Sequence, residues 1–382
     1  MKIRMYNVGF GDAFCIRDRK NSLLVDFGTN NSRIEDRPRR EIFDVIISDL
    51  STINSKNLLL TNFCPDHISG FLYMSEKRNV SGGFDKIYIP DVFSKKEMSR
   101  TLVLLLLGDQ IKDACLPGRQ VSLYAFIMAL IGRNQKVELV SRGKSFEKKY
   151  QALWPDTDVI RQETDRIFDL IGKEQHEIMD ILVKFAEELR RIIWSMTEQG
   201  KEESTGERIL PAYVYEREFR KIKYMPEFKK LLEYLHNNKI DLKKFRSQIS
   251  IVFHNERDGE LNLLFTGDIC PEKMRMIADN YDDKFPLHDH YWCIKVPHHG
   301  TQEYFFDFSK YEPENLLISN GIHYSNSKQQ SRELRTSPLY GGLFYIEEAH
   351  MYCSNCDCCD SYENGCSCKE WDIISPSYYK DI

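Results

Sequence analysis

No apolar run in this chain approaches the roughly twenty residues that a membrane-spanning helix needs. The longest, from Leu102 to Leu107 and from Tyr124 to Ile131, fall well short, so no membrane association is expected. A secretory leader is also missing: Met1-Lys2-Ile3-Arg4-Met5-Tyr6 runs straight into the first strand, and a cytoplasmic protein is expected. Nor is there an excess of positive charge. Lys and Arg number 53 against 58 Asp and Glu, a formal net charge of −5, so the overall field does not announce a nucleic-acid binder, although a basic groove can exist on an acidic protein. What is present is length and apolar content. At 382 residues and 42% hydrophobic the chain can bury a full core, as one large domain with insertions or as two domains.

Two strings more than two hundred residues apart carry most of the chemistry: Thr61-Asn62-Phe63-Cys64-Pro65-Asp66-His67 and Val296-Pro297-His298-His299-Gly300. Each follows an apolar run that reads as a buried strand, Asn57–Leu60 and Cys293–Val296, so each falls on a turn at a strand end, where loops hold functional groups rigidly. Leu263-Leu264-Phe265-Thr266-Gly267-Asp268 repeats the pattern with a carboxylate. Two Asp and up to three His converging from three strand ends have the composition of a metal site. Each residue also has a plainer reading. Asp66 could cap the helix that follows it, and Asp268 could start the helix suggested by Pro271 and Glu272.

Together with Tyr6-Asn7-Val8-Gly9-Phe10-Gly11-Asp12-Ala13 and Leu23-Leu24-Val25-Asp26-Phe27-Gly28-Thr29, these strings resemble the metallo-β-lactamase superfamily. The nearest branch is the hydrolase domain of the DNA-uptake competence proteins, whose pattern runs V-G-Q-G-D-A, L-V-D-x-G, T-H-x-H-x-D-H-x-G-G, L-T-G-D and V-x-H-H-G. The resemblance implies an α/β fold, an αββα sandwich, and a metal site that binds zinc or manganese. It implies Asp66, His67, Asp268 and His298 or His299 as ligands, with Asp66, His67, Asp268 and His299 carrying catalysis. Asp12, Asp26 and Asn62 are expected to support that centre from behind, since ligand imidazoles usually donate their other N–H to a carboxylate. The branch is associated with DNA degradation, so the resemblance also implies a phosphodiesterase or nuclease.

The chain departs from the family at one place. Asn62 and Cys64 stand where the pattern has its first two His, so one half of a two-metal site is altered while the other half is complete. Three readings stay open. A single ion held by two Asp and two His would leave a position for water, whose pKa such an ion can lower from about 16 toward about 7. Alternatively two ions bind, with Cys64 as a thiolate ligand and Asn62 as a weak oxygen donor, which favours zinc. In the third reading the chain is a catalytically inactive subunit that acts as a scaffold or ligand-binding partner. The Gly-His-Pro common near the end of the family pattern is also replaced, by Tyr324-Ser325-Asn326-Ser327, with His323 nearby.

Six of the 11 Cys crowd one stretch: Cys353, Cys356, Cys358, Cys359, Cys366 and Cys368. Thiolates brought together by a tight loop suit a structural zinc site, with disulfides, a redox role or a plain Cys-rich loop as alternatives. Strand-like flanks at 343–351 and 371–374 place the cluster on a hairpin. This cluster is no part of the family pattern.

Between Asp156 and Lys244 the periodicity changes. Ile171, Ile178, Phe185 and Ile192 form one heptad line and Phe168, Leu182, Leu189 and Met196 another, which predicts one long helix of coiled-coil type over 164–196. Its apolar face is wider than a two-helix seam needs, so a partner protein or self-association is expected there. The expected organisation is a metallo-β-lactamase-like part over 1–155, a helical insertion over 156–246, the second part over 247–350, and a Cys-rich hairpin and tail over 351–382.

Overall fold

Period-two alternation decides which face each strand residue takes. Leu24 and Leu58 point to the helices, whereas Leu23, Val25 and Leu59 point to a second sheet. The computed structural model describes residues 1–18, 21–34, 37–53, 55–77, 83–111, 121–171, 175–203, 209–320, 340, 349–354, 372–373 and 378–382.

In chain order the first part comprises β1 (Lys2–Tyr6), β2 (Phe14–Asp18), β3 (Asn21–Val25), the small ribbon of β4 (Arg33–Ile34) and β5 (Arg37–Pro38), α1 (Arg39–Ser51), β6 (Ser55–Leu59) and α2 (Pro65–Glu76). It continues through β7 (Lys86–Pro90), α3 (Ser99–Ile111), α4 (Leu123–Arg133), β8 (Val137–Val140), β9 (Ser145–Phe146) and β10 (Tyr150–Trp154). Six helices follow: α5 (Thr157–Ile171), α6 (His176–Ser195), α7 (Glu198–Glu203), α8 (Ala212–Tyr224), α9 (Pro226–Asn237) and α10 (Leu242–Ser247). The chain then forms β11 (Val252–Asn255), β12 (Leu263–Phe265), α11 (Pro271–Ala278), β13 (Tyr291–Lys295), β14 (Pro313–Ile318), β15 (His350–Cys353), β16 (Asp372–Ile373) and β17 (Tyr379–Asp381).

This is a mixed α/β molecule with two large mixed sheets. One has seven strands in the order β17-β1-β2-β3-β6-β7-β8, the other eight in the order β16-β15-β14-β13-β12-β11-β10-β9. Apolar side chains from both sheets share one layer, with Phe14 and Phe265 edge to face at 5.6 Å and Phe253 stacked on Phe265 at 5.2 Å. The opposite faces carry the larger core, in which Leu24, Leu58 and Ile87 meet the helices. Strands β12 and β13 pair in parallel, and their apolar residues pack into both cores, as strands buried on both faces require.

Two expectations need correction. The long helix is two helices, α5 and α6, with Gln175 as the N-cap of the second. Most of its wide apolar face is buried within the chain, with Leu170 left 59% exposed: Ile167, Ile178, Leu182, Phe185, Leu189 and Ile193 belong to the same core as Leu102–Leu107 of α3, a helix apolar all round and therefore interior. A coiled-coil seam would have used only the two heptad lines, and the face assigned to a partner is occupied by α3. Second, β15 and β16 pair in parallel, whereas a hairpin reverses the chain and pairs antiparallel. Cys353 is buried in β15, while Cys356, Cys358, Cys359, Cys366, Cys368 and His323 lie outside the described residues. Strand β11 begins only at Val252, because the two residues before it bond to the motif loops: Ile251 N donates to Thr61 O at 2.7 Å and Ser250 Oγ accepts from Asp268 N at 3.2 Å.

Candidate metal centre

Three strand ends deliver the candidate ligands. After β6 the chain turns through Thr61–Cys64 into α2, where Cys64 is the N-cap, Pro65 opens the helix and Asp66 and His67 lie in its first turn. No side chain caps this helix, so the Asp66 carboxylate is free of that duty. After β12, Gly267 at φ +52° turns the chain to present Asp268. A Cβ on Gly267 would come within 2.9 Å of the Thr61 Cβ, so both the conformation and the space require glycine. Asp268 does not cap α11 either, since Cys270 holds that position. After β13, His298 and His299 both take left-handed backbone angles, φ 44° and 60°, which sends their rings to different places.

Asp66, His67, Asp268 and His299 converge, all buried, with one ligand atom from each lying within 4.8 Å of all the others. His67 Nε2 is 2.8 Å from Asp268 Oδ2, His299 Nε2 is 3.1 Å from Asp66 Oδ2, and His299 Nε2 is 4.0 Å from Asp268 Oδ1. Ligands about 2.1 Å from a tetrahedral ion stand about 3.4 Å from one another, so these separations bracket a shared ion. Asp268 Oδ1 is buried without a hydrogen-bond partner among the described residues, an orphaned acceptor facing the group. Two carboxylates and two imidazoles so placed could hold a metal ion.

Behind the ligands each imidazole is oriented through its other nitrogen. His67 Nδ1 lies 2.9 Å from Asp26 Oδ2, and Asp26 in turn accepts from Thr61 N at 2.7 Å and from Thr61 Oγ1 at 2.8 Å. His299 Nδ1 lies 2.9 Å from Ser319 O and 3.3 Å from Asp12 Oδ1. The first turn of α2 is locked to the same loops by backbone bonds: Asp12 N donates to Asp66 O at 3.0 Å and Phe27 N to His67 O at 2.8 Å.

Lys295, not singled out from the sequence, completes the centre. Its buried ammonium lies 2.5 Å from Asp12 Oδ2, donates to Gly267 O at 2.9 Å and lies 3.9 Å from Asp268 Oδ1. Its signal in the sequence was a single charge between Ile294 and Val296 in an otherwise apolar strand. Four buried carboxylates, Asp12, Asp26, Asp66 and Asp268, thus face one fixed ammonium. Such an imbalance out of water demands either protons on the imidazoles or a cation.

In the ion-free state the protons serve. Burial alone would strip His67 and His299, yet Asp268 and Asp26 lift His67 well above its ordinary range, and Asp12 and Asp268 lift His299 to about 9. Burial disfavours the Asp66 and Asp268 anions, but the same imidazoles outweigh it and hold both carboxyls below their usual range. Asp26 moves upward, because its burial exceeds the attraction of His67.

The remaining candidates stand apart from the four. His298 is half-buried, stacked on Tyr304 at 3.9 Å with Nδ1 3.1 Å from Thr301 Oγ1, and burial lowers its pKa to about 4. Asn62 is turned onto its own loop, accepting from Cys64 N at 2.7 Å and donating to Ser250 Oγ at 3.4 Å. Cys64 is half-buried at the start of α2 and is not among the groups brought within ligand distance. Arg246, also missed from the sequence, pairs with Asp109 at 2.8 Å and donates to Phe63 O at 2.8 Å, tying α10 and α3 to the motif loop.

No family model matches the chain, and no curated protein matches it.

Proposed function

We propose that the chain is a metal-dependent hydrolase, a phosphodiesterase acting on nucleic acid, built on an αββα sandwich of the metallo-β-lactamase type with one divalent ion in the altered site. The observation that carries this reading is the convergence of Asp66, His67, Asp268 and His299 from three strand ends. Zinc or manganese held there would supply Lewis-acid polarisation of a phosphoryl oxygen and a more acidic water. Asp26 and Asp12 orient the two imidazoles, and Lys295 compensates Asp12. Cys64 and His298, near Asp66 and His299 in sequence, are both half-buried, whereas the four candidate ligands are buried. His298 is neutral at pH 7, so it offers a phosphate a hydrogen bond rather than a charge. The order of motifs along the chain, from Asn7 to Gly300, supports the superfamily, and nucleic acid as substrate rests on the branch resembled.

One observation favours a second reading, a catalytically silent scaffold: the direct contacts of His67 with Asp268 and of His299 with Asp66 satisfy the cluster without any ion. Incubation of the purified chain with single-stranded DNA and manganese separates the two. The hydrolase cuts, and His67→Ala abolishes cutting. Wild-type protein that leaves the DNA intact with both zinc and manganese supports the scaffold.

A further inference from the structure

A groove of about 1200 Å³ runs between α2 and α4 on one side and α8 and α9 on the other. That exceeds the roughly 300–1000 Å³ of a pocket for one small molecule and suits an extended ligand. Four cations line it, Arg39, Arg220, Lys223 and Lys229, against two carboxylates, Glu76 and Glu216, on a chain whose net charge is −5. Among the described residues none of the four cations makes an ion pair, although Lys223 lies over the Phe219 ring at 5.4 Å. One guanidinium nitrogen of Arg39 is buried with no hydrogen-bond partner, and the Tyr124 hydroxyl, on a ring stacked at 4.6 Å on Phe219, is in the same condition. Arg39 and Lys223 are half-buried and Arg220 and Lys229 exposed, so the buried Arg39 nitrogen and the Tyr124 hydroxyl are the groups whose lack of an acceptor is costly unless a ligand supplies one. At the rim Tyr224 is 75% exposed, a free aromatic face beside Arg220 and Lys223 on the same helix.

We propose that this groove binds a single strand of nucleic acid, with its phosphates on Arg39, Arg220, Lys223 and Lys229 and a base on Tyr224. A cationic track interleaved with an exposed aromatic ring is the arrangement that sequence-tolerant strand binding uses. An acidic peptide would satisfy the cations but leave Tyr224 without a stacking partner. Ser69 of α2 lines the groove, three residues after Asp66, while none of the four candidate ligands does. The choice of nucleic acid rests on the phosphodiesterase reading, whereas the unpaired cations do not.

Fluorescence anisotropy of a labelled oligothymidylate of about twelve nucleotides, titrated with full-length Asp268→Ala protein so that no cutting intervenes, tests the proposal. Arg220→Ala/Lys223→Ala is expected to weaken binding at least tenfold and to make the slope of log affinity against log salt shallower by about 0.7 per cation removed. Tyr224→Ala is expected to weaken binding roughly tenfold without altering the salt slope. Both changes are on the surface, so the unfolding curve should stay as it is. Unchanged affinity in either variant, or polyglutamate competing as well as the oligonucleotide, overturns the proposal. Groove-dependent binding by a protein whose wild type does not cut DNA with manganese would sustain the groove and remove the hydrolase.

Discussion

Lys295→Met tests the electrostatic design of the centre. Methionine keeps most of the buried stem but removes an ammonium that is only 1% exposed and sits 2.5 Å from Asp12. Asp12 is fully buried, and besides Lys295 only the His299 and His67 rings stand near its carboxylate, so the substitution leaves an anion with those two rings alone. Removing one partner of a buried ion pair costs about 3–5 kcal/mol, and urea unfolding in chelator should show a loss of that size. The ammonium also stands 3.9 Å from Asp268 Oδ1, so its loss deepens the negative imbalance of the centre, and the variant should bind zinc or cobalt more tightly by calorimetry. In the double variant Lys295→Met/Asp12→Asn no unpaired charge remains, and at least half of the lost stability should return. A loss below about 1 kcal/mol with unchanged metal affinity would refute the reasoning.

Acid should destabilise the protein partly through His254. This ring is 2% exposed, lies 3.0 Å from the Tyr291 hydroxyl and stacks on His288 at 4.3 Å; burial and then His288 push its pKa down to about 3. The unfolded chain takes up this proton near pH 6.5, so the contribution is complete above that pH and falls by about 1.4 kcal/mol per unit as pH drops toward 3. His254→Gln should flatten the dependence of urea-unfolding free energy on pH in that window, and equal slopes for the two proteins would count against the assignment. Gly28→Ala should damage the centre without touching a ligand, because the added Cβ would lie 2.4 Å from the Asp66 carbonyl carbon and 2.5 Å from His67 N, both backbone. A loss of about 1–3 kcal/mol is expected, together with weaker metal binding. Gly132→Ala, with nothing within 4 Å of the new methyl, should be neutral or stabilising in thermal melts.

The motif strings could be read from the sequence because each couples a buried strand to a turn, and turns at neighbouring strand ends meet wherever the strands are adjacent. Parallel pairing of β12 with β13 brings Asp268 beside the Pro297–Gly300 turn. Which of two consecutive His would point inward could not be read, since it depends on the left-handed backbone at both, and spacing carries no trace of that. Lys295 was hidden for the opposite reason, because a lone charge in an apolar strand is ordinarily a residue at an edge. The helical segment misled because heptad lines look alike whether the partner is a second copy or an interior helix; the all-apolar character of Leu102–Leu107 was the clue that the partner lies within the chain. That β15 and β16 pair in parallel depends on strand direction, which no local pattern encodes.

Metal content decides the central claim most directly. Wild-type protein dialysed to equilibrium against zinc or manganese and measured by mass spectrometry should hold one more ion per chain than Asp268→Ala or His299→Ala, whatever the Cys-rich segment binds. Cys64→Ser and His298→Ala should match the wild type. Equal metal content in wild type and Asp268→Ala would contradict the account.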